Sequence, residues 1–151
     1  MTNAEKLDVL RRSPLFEMLS EAELQVLAEL SRARLFAAGD HVFREGDAGD
    51  ALFVLAQGEV EVVARSASGE ELPLAVLAPP EAFGEMSLID REVRSATVRA
   101  RMDCVTLQLG AENFTAFRNR SRDGFTLFLV NVSRVLSSRL REANRRLAGR
   151  T

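Results

Sequence analysis

The chain has 151 residues, 46% of them hydrophobic and 28% charged, which is typical of one soluble globular domain with a sizeable core. No apolar run approaches the ~20 residues of a membrane span, and residues 1–10 lack a signal-peptide core, so we expect a cytoplasmic protein. A single cysteine, Cys104, and a single histidine, His41, exclude an internal disulfide and a cysteine zinc site and leave no obvious catalytic dyad. We therefore expect the protein not to be an enzyme and to bind no metal and no cofactor.

Charge is distributed unevenly along the chain. Residues 1–90 carry 7 basic and 17 acidic side chains, whereas residues 91–151 carry 13 basic and 5 acidic ones. The basic C-terminal part could bind an anionic partner such as nucleic acid, a membrane surface or an acidic ligand. The alternative is a solvated helix face that balances the acidic part of the same domain.

Residues 1–34 are predicted to be helical. Ser13-Pro14 resembles an N-cap followed by proline at the first helical position, and Ser20 with Glu23 three residues later forms a capping box. The leucines that follow at helical spacing indicate a short amphipathic helix that packs on the core.

Residues 35–110 change to short β-type runs separated by glycine, serine and proline turns. The runs are His41–Arg44, Leu52–Leu55, Val60–Ala64, Leu72–Leu77, Ser95–Ala100 and Val105–Leu109. Strands this short at such regular spacing indicate a closed or rolled antiparallel β structure.

Residues 111–151 return to a helical pattern, with one long helix predicted over Arg122 to Ala148. Apolar residues recur on it at steps of three or four: Phe125, Leu129, Val132, Leu136, Leu140, Ala143 and Leu147. The stripe is about 22 residues, or ~33 Å, long. One domain of this size cannot easily cover so long an apolar stripe by itself. We therefore expect a homodimer through this helix; the alternative is a helix that folds back on the β structure.

The segment from Phe83 to Ser87 has the features of an anion site. Gly84 permits close backbone approach, and Glu85 to Leu88 can form one helical turn whose free N–H groups point at an anion. Arg94, nine residues after Glu85, offers a planar fork of donors for a phosphate, and Ser95 adds a hydroxyl.

Glu85 is unexpected in such a site, because a carboxylate repels an anion. A carboxylate is explained at this position if Glu85 accepts a hydrogen bond from a ligand hydroxyl while Arg94 partly balances the negative charge. A phosphate beside a hydroxyl indicates a ribose phosphate. An ordinary surface salt bridge between Glu85 and Arg94 is the alternative.

Two segments together resemble a known family. Phe83-Gly84-Glu85-Met86-Ser87-Leu88 followed by Arg94-Ser95-Ala96-Thr97-Val98 resembles the phosphate-binding cassette of cyclic nucleotide-binding domains, and the turn-rich stretch from Gly39 to Val60 resembles their first half. The resemblance covers nearly the whole chain. It implies a single domain over residues 1–151, mainly β, with an eight-stranded antiparallel β-roll, N-terminal helices and a long C-terminal helix.

The resemblance also implies a role for individual residues. Glu85 would accept from the ribose 2′-hydroxyl, and Arg94 would bind the exocyclic phosphate oxygens with Ser95 and the backbone N–H groups of Ser87 and Ala96. Val62 and Leu74 would face inward and form the wall of the base pocket, and Asn144 of the C-terminal helix would cap the base. Phe83, Gly84 and Met86 complete the expected site.

The function that the resemblance implies is a sensor of cAMP, or of cGMP, that signals occupancy through its C-terminal helix to an effector. Val93 stands where many family members have proline before the arginine, a change in loop stiffness more than in chemistry. The sequence contains no helix-turn-helix segment, so we expect no sequence-specific DNA binding by this chain. The alternative function is a dimerisation scaffold with a vestigial pocket.

Overall fold

The computed structural model describes residues 1–150 and begins with two helices separated by a short turn. Helix α1 is Asn3–Arg12, a 3-10 turn covers Pro14–Phe16, and α2 is Glu21–Leu30. The predicted capping box is confirmed: the Ser20 hydroxyl accepts from the Glu23 amide, and the Glu23 carboxylate accepts from the Ser20 amide. Ser13 is the N-cap of the 3-10 turn, with Pro14 at its first position, and it is also the C-cap of α1.

Eight strands follow in two antiparallel sheets. They are β1 Arg32–Phe36, β2 His41–Phe43, β3 Ala51–Gln57, β4 Val60–Arg65, β5 Glu71–Leu77, β6 Ala82–Phe83, β7 Thr97–Ala100 and β8 Cys104–Gly110. One sheet has the order β1-β8-β3-β6 and the other the order β2-β7-β4-β5. The expected eight-stranded β-roll is confirmed.

Two strands were not predicted. The helical prediction over residues 1–34 includes the start of β1, whereas the N-terminal helices end at Leu30. Its sequence, Arg-Ala-Arg-Leu-Phe, has no β-branched residue, so local propensity does not favour a strand. Pairing with β8, where Arg34 lies opposite Thr106, determines its structure. β6 has two residues, too few for a recognisable alternation.

Strand β3 separates two hydrophobic cores, because its residues are buried on both faces. Leu52 and Val54 face the helices, whereas Phe53 and Leu55 face the interior of the roll. On the helical side the rings of Phe114 and Phe128 stack with centroids 4.5 Å apart. The roll and the helices therefore form one packed unit.

The C-terminal part contains α4, Ala111–Arg120, and α5, Arg122–Leu147. The first half of α5 packs on the body through Phe128 and Val132, and the Asn131 amide donates to the carbonyls of Leu15 and Glu17. In the second half, Leu140 is 62% exposed and Leu147 is 87% exposed. The helix thus folds back on the body over half of its length, and the rest of the stripe faces solvent.

None of the helices in residues 1–150 is both long enough and apolar enough to cross a membrane.

Candidate functional site

The predicted anion turn forms where β6 ends. Gly84 has a φ of 87° and is followed at once by α3, Glu85–Asp90, as expected for one helical turn at this position. A methyl group on Gly84 would lie 2.9 Å from the Ala51 carbonyl oxygen and 2.9 Å from Nη1 of Arg94. Glycine is therefore required here for its backbone conformation and for the close approach of Arg94.

Arg94 lies inside the protein with its charge unpaired. Only 5% of the residue is exposed, and its Nη1 and Nη2 donate to the backbone carbonyls of Gly84 and Ala51 at 2.9 and 2.8 Å. The guanidinium lies over the Phe43 ring, 3.9 Å from its centroid, and its buried Nε has no partner within residues 1–150. Desolvation lowers the pKa of Arg94, and the nearby carboxylates of Asp50, Glu85 and Asp47 offset this in part.

This arrangement is suited to an anion. A guanidinium has five N–H donors and remains charged at neutral pH, and the two hydrogen bonds to carbonyls leave donors free. Burying a charge without a counter-ion costs free energy. A phosphate oxygen pair would supply both the missing charge and the missing acceptors.

Gly49 shapes the same site and was not predicted to do so. A methyl group on it would lie 2.6 Å from Cβ of Ser87, 2.7 Å from Nε of Arg94 and 2.8 Å from Oγ of Ser87. Gly49 therefore leaves the space in which the arginine and the first turn of α3 meet. In the sequence Gly49 belongs to a Gly-Asp pair, which predicts a turn but does not indicate a binding site.

Glu85 is buried, with 3% of its surface exposed, and its partner is a residue that the sequence did not indicate. Nη1 of Arg139, on α5, donates to Oε1 of Glu85 at 2.7 Å, and Nη2 of Arg139 donates to the Ala82 carbonyl. Arg94 acts on Glu85 through its nearby charge, in line with the expected partial balance, whereas the alternative of a surface salt bridge between these two buried side chains is wrong. Arg139 follows Glu85 by 54 residues, and no local pattern connects the two.

These side chains line a cavity of 180 Å³ between the cassette and the inner face of β4 and β5. The cavity brings together nine of the eleven predicted site residues. They are Val62, Phe83, Gly84, Glu85, Met86, Ser87, Arg94, Ser95 and Ala96.

Leu74 and Asn144 lie outside this cavity. Leu74 is 45% exposed, so the expectation that it faces inward is wrong. Leu74 lies on the exposed face of β5 together with Leu72 and Val76, whereas Ala75, opposite Val62, and Leu77 are on the inward face and line the cavity. Asn144 is exposed near the end of α5, and Arg139 is the residue of that helix in the cavity wall.

A larger cavity of 540 Å³ lies on the other side of α3, against α4 and α5. Its lining includes Leu88, Phe114 and Phe125, with Arg91 and Arg118 among its polar residues. Ser87 lines both cavities. The smaller cavity is the better candidate because it alone contains the buried, unpaired guanidinium.

Within the described part of the chain, no group of three or more histidine, cysteine, aspartate or glutamate side chains is placed to hold a metal ion.

Comparison with known proteins agrees with this geometry. Residues 33–121 match the family model of the cyclic nucleotide-binding domain. The chain belongs to this family. The matched segment contains both the cassette and the strands that face it.

One sequence and two solved structures illustrate the similarity of this cyclic nucleotide-binding domain. The cyclic AMP receptor protein of Thermus thermophilus is 37% identical over 135 residues, which are 89% of this chain and 61% of the relative. The crystal structure of the Thermus thermophilus catabolite activator protein superposes with a TM-score of 0.78 at 37% identity, covering 89% of this chain and 62% of that one.

The third is the regulatory domain of Toxoplasma gondii PKA, whose structure was determined with cAMP. It superposes with a TM-score of 0.71 at 31% identity, covering 76% of this chain and 44% of that chain. This chain therefore spans less than two thirds of the length of each of these relatives.

Proposed function

We propose that this domain senses a 3′,5′-cyclic nucleotide, cAMP in preference to cGMP, and that it acts by binding rather than by catalysis. The observation that carries the proposal is Arg94, a buried cation that has free donors and no carboxylate partner within residues 1–150. The relatives' names support cAMP, since one is a cyclic AMP receptor and another was crystallised with cAMP.

Each wall of the cavity suits one part of the nucleotide. Arg94, Ser95 and the amides of Ser87 and Ala96 would bind the cyclic phosphate. Glu85 would accept from the ribose 2′-hydroxyl. The apolar side chains on β4 and β5, which include Val62 and Ala75, would contact the base.

The proposal is tested by calorimetry with cAMP and cGMP on the wild type and on Arg94→Ala. A hydrogen bond to a charged group contributes about 1.5–3 kcal/mol, so losing two of them weakens binding by at least about 100-fold. Arg101→Ala is the matched control, because Arg101 is exposed and its Glu59 contact, at 3.5 Å, lies outside the cavity. Equal affinities of the wild type and Arg94→Ala would refute the role of Arg94.

The vestigial-scaffold alternative makes a different prediction. A nucleotide at 100 times its dissociation constant adds about 2.7 kcal/mol to the free energy of unfolding. A melting temperature that does not change with either nucleotide would favour the scaffold.

We further propose that α5 carries the signal and joins two copies of the chain. The supporting observation is its divided packing: Val132 is buried, whereas Leu140 and Leu147 on the same stripe are mostly exposed. A second α5 would cover these leucines. The effector that responds would then contact the helix pair.

A further inference from the structure

The larger of the two cavities beside α3 has the size of a small-molecule pocket. Its volume is 540 Å³, within the roughly 300–1,000 Å³ of typical ligand pockets. It lies where α3, α4 and α5 meet, on the opposite side of α3 from the proposed nucleotide site. Apart from Ser87, the two cavities have different linings within residues 1–150. An occupant of the larger cavity would therefore contact its own set of side chains.

The buried wall of this cavity is aromatic. The Phe128 ring stacks on Phe114 with centroids 4.5 Å apart, and its centroid lies 6.1 Å from that of Phe125. Two further apolar side chains in the lining, Ile89 and Leu129, are 47% and 38% exposed. Covering such apolar surface with a hydrocarbon chain removes it from water, which is favourable.

Two arginines in the same lining lack an acidic partner. Arg91 directly follows α3, and Arg118 lies in the last turn of α4. Both residues are exposed, and within residues 1–150 neither guanidinium takes part in an ion pair. A guanidinium presents a planar fork of donors that matches the two oxygens of a carboxylate. The lining thus combines an aromatic wall with cationic donors.

Acidic side chains nearby do not neutralise these arginines. Asp50 is the one carboxylate that lines the cavity within residues 1–150. Desolvation lowers the pKa of Arg94, and Asp50 is the largest of the charges that oppose this, so the charge of Asp50 is already balanced in part. Asp90 and Glu92 flank Arg91 in the chain, but the Asp90 carboxylate accepts from the Glu92 amide at 2.9 Å and neither residue lines the cavity. Two arginines against one aspartate favour an anion.

We propose that this cavity binds the anionic form of a medium-chain fatty acid, with the hydrocarbon chain on the aromatic wall and the carboxylate at Arg91 and Arg118. An alkyl chain suits this wall because it carries no polar group that would need a hydrogen-bond partner there. The site is separate from the nucleotide cavity, and the inference does not rest on the proposed function.

The test is calorimetric titration of the full chain with sodium decanoate and sodium octanoate, each below its micelle concentration. Decanoate should bind roughly 15-fold more tightly, because two further CH₂ groups are buried. Decyltrimethylammonium has the same chain length and the opposite charge, so it should bind weaker than decanoate by about tenfold or more. If decanoate binds no more tightly than octanoate, or no more tightly than the cation, the proposal is overturned.

Arg118→Gln tests the position of the carboxylate. Loss of a charge-assisted hydrogen bond should weaken decanoate binding about tenfold in this variant, and similarly in Arg91→Gln. Arg120→Gln is the matched control, since Arg120 is an exposed arginine in the same last turn of α4 and lies outside the lining. It should keep the wild-type affinity. Equal decanoate affinities of Arg118→Gln and Arg120→Gln would overturn the assigned head-group position.

Amide NMR spectra recorded with decanoate locate the ligand. The shift changes should include residues 111–118 of α4. Changes confined to β4 and β5 would place the decanoate in the nucleotide cavity and overturn the proposal. Co-sedimentation with vesicles of phosphatidylcholine and phosphatidylglycerol, without binding of free decanoate, would overturn the free acid as the occupant. A failure of cAMP and cGMP to bind would refute the proposed function and leave this result standing, because the two titrations use different ligands.

Discussion

Gly49→Ala tests how much the close packing around Arg94 contributes to stability and to ligand affinity. The φ of Gly49 lies outside the left-handed region, so alanine meets no backbone strain there. Its methyl group, however, would lie 2.6–2.8 Å from atoms of Ser87 and Arg94, which is shorter than van der Waals contact. Either the first turn of α3 or the guanidinium must move.

The substitution therefore has two measurable consequences. Overpacking of this kind costs about 1–3 kcal/mol of unfolding free energy. Under the proposed function, displacing Arg94 or Ser87 removes at least one charge-assisted hydrogen bond to the phosphate, about 1.5–3 kcal/mol, or roughly 10- to 100-fold in affinity. Chemical denaturation measures the first effect and calorimetry with cAMP the second.

Gly69→Ala is the control for Gly49→Ala, because it introduces backbone strain without any close contact. Gly69 has a φ of +87° and no atom within 4 Å of the added methyl group, so alanine there costs about 1–2 kcal/mol of stability and leaves cAMP affinity unchanged. If Gly49→Ala binds cAMP as tightly as the wild type and unfolds at the same denaturant concentration, the described contacts of Gly49 are wrong.

Two further predictions concern α5 and its attachment to α2. Leu140→Glu should convert the proposed dimer to monomer, because it places a charge in an apolar interface, and sedimentation at matched concentrations would detect this; a dimer that persists would contradict the interface. Hydrogen bonds from the Ser121 hydroxyl and the Ser20 amide lower the pKa of Glu23, so its contribution to stability is present above the usual carboxyl pKa of 4.5 and is lost as pH falls through the lowered value. Glu23→Gln should therefore reduce stability by about 1 kcal/mol near neutral pH and by progressively less in acid unfolding; a stability difference that does not depend on pH would refute the assignment.

The features that the sequence predicted well are those encoded by neighbouring residues. The capping box at Ser20 and Glu23 is complete within four positions, and the Gly84-Glu85 turn adjoins the helix that it starts. Arg94 could be recognised because it follows that turn at short range. In each case the residues that determine the structure are close together in the chain.

The features that the sequence missed depend on distant partners. β1 becomes a strand through β8, and Glu85 is paired from α5. The prediction for Leu74 is wrong because the apolar side chains at positions 72, 74 and 76 of β5 lie on its exposed face, so hydrophobic alternation favours the wrong face. Arg139 is one of many arginines on a polar helix, and only the packing of that helix distinguishes it.

The unpaired cation at Arg94 has a consequence for the lifetime of the protein in a cell. Without an anion, the domain carries the free-energy cost of a desolvated charge, and a cyclic nucleotide bound as proposed would remove that cost and add its own binding energy. Under the proposed function, the empty form unfolds more often and is the better protease substrate. The abundance of the sensor would then rise and fall with the concentration of its own signal.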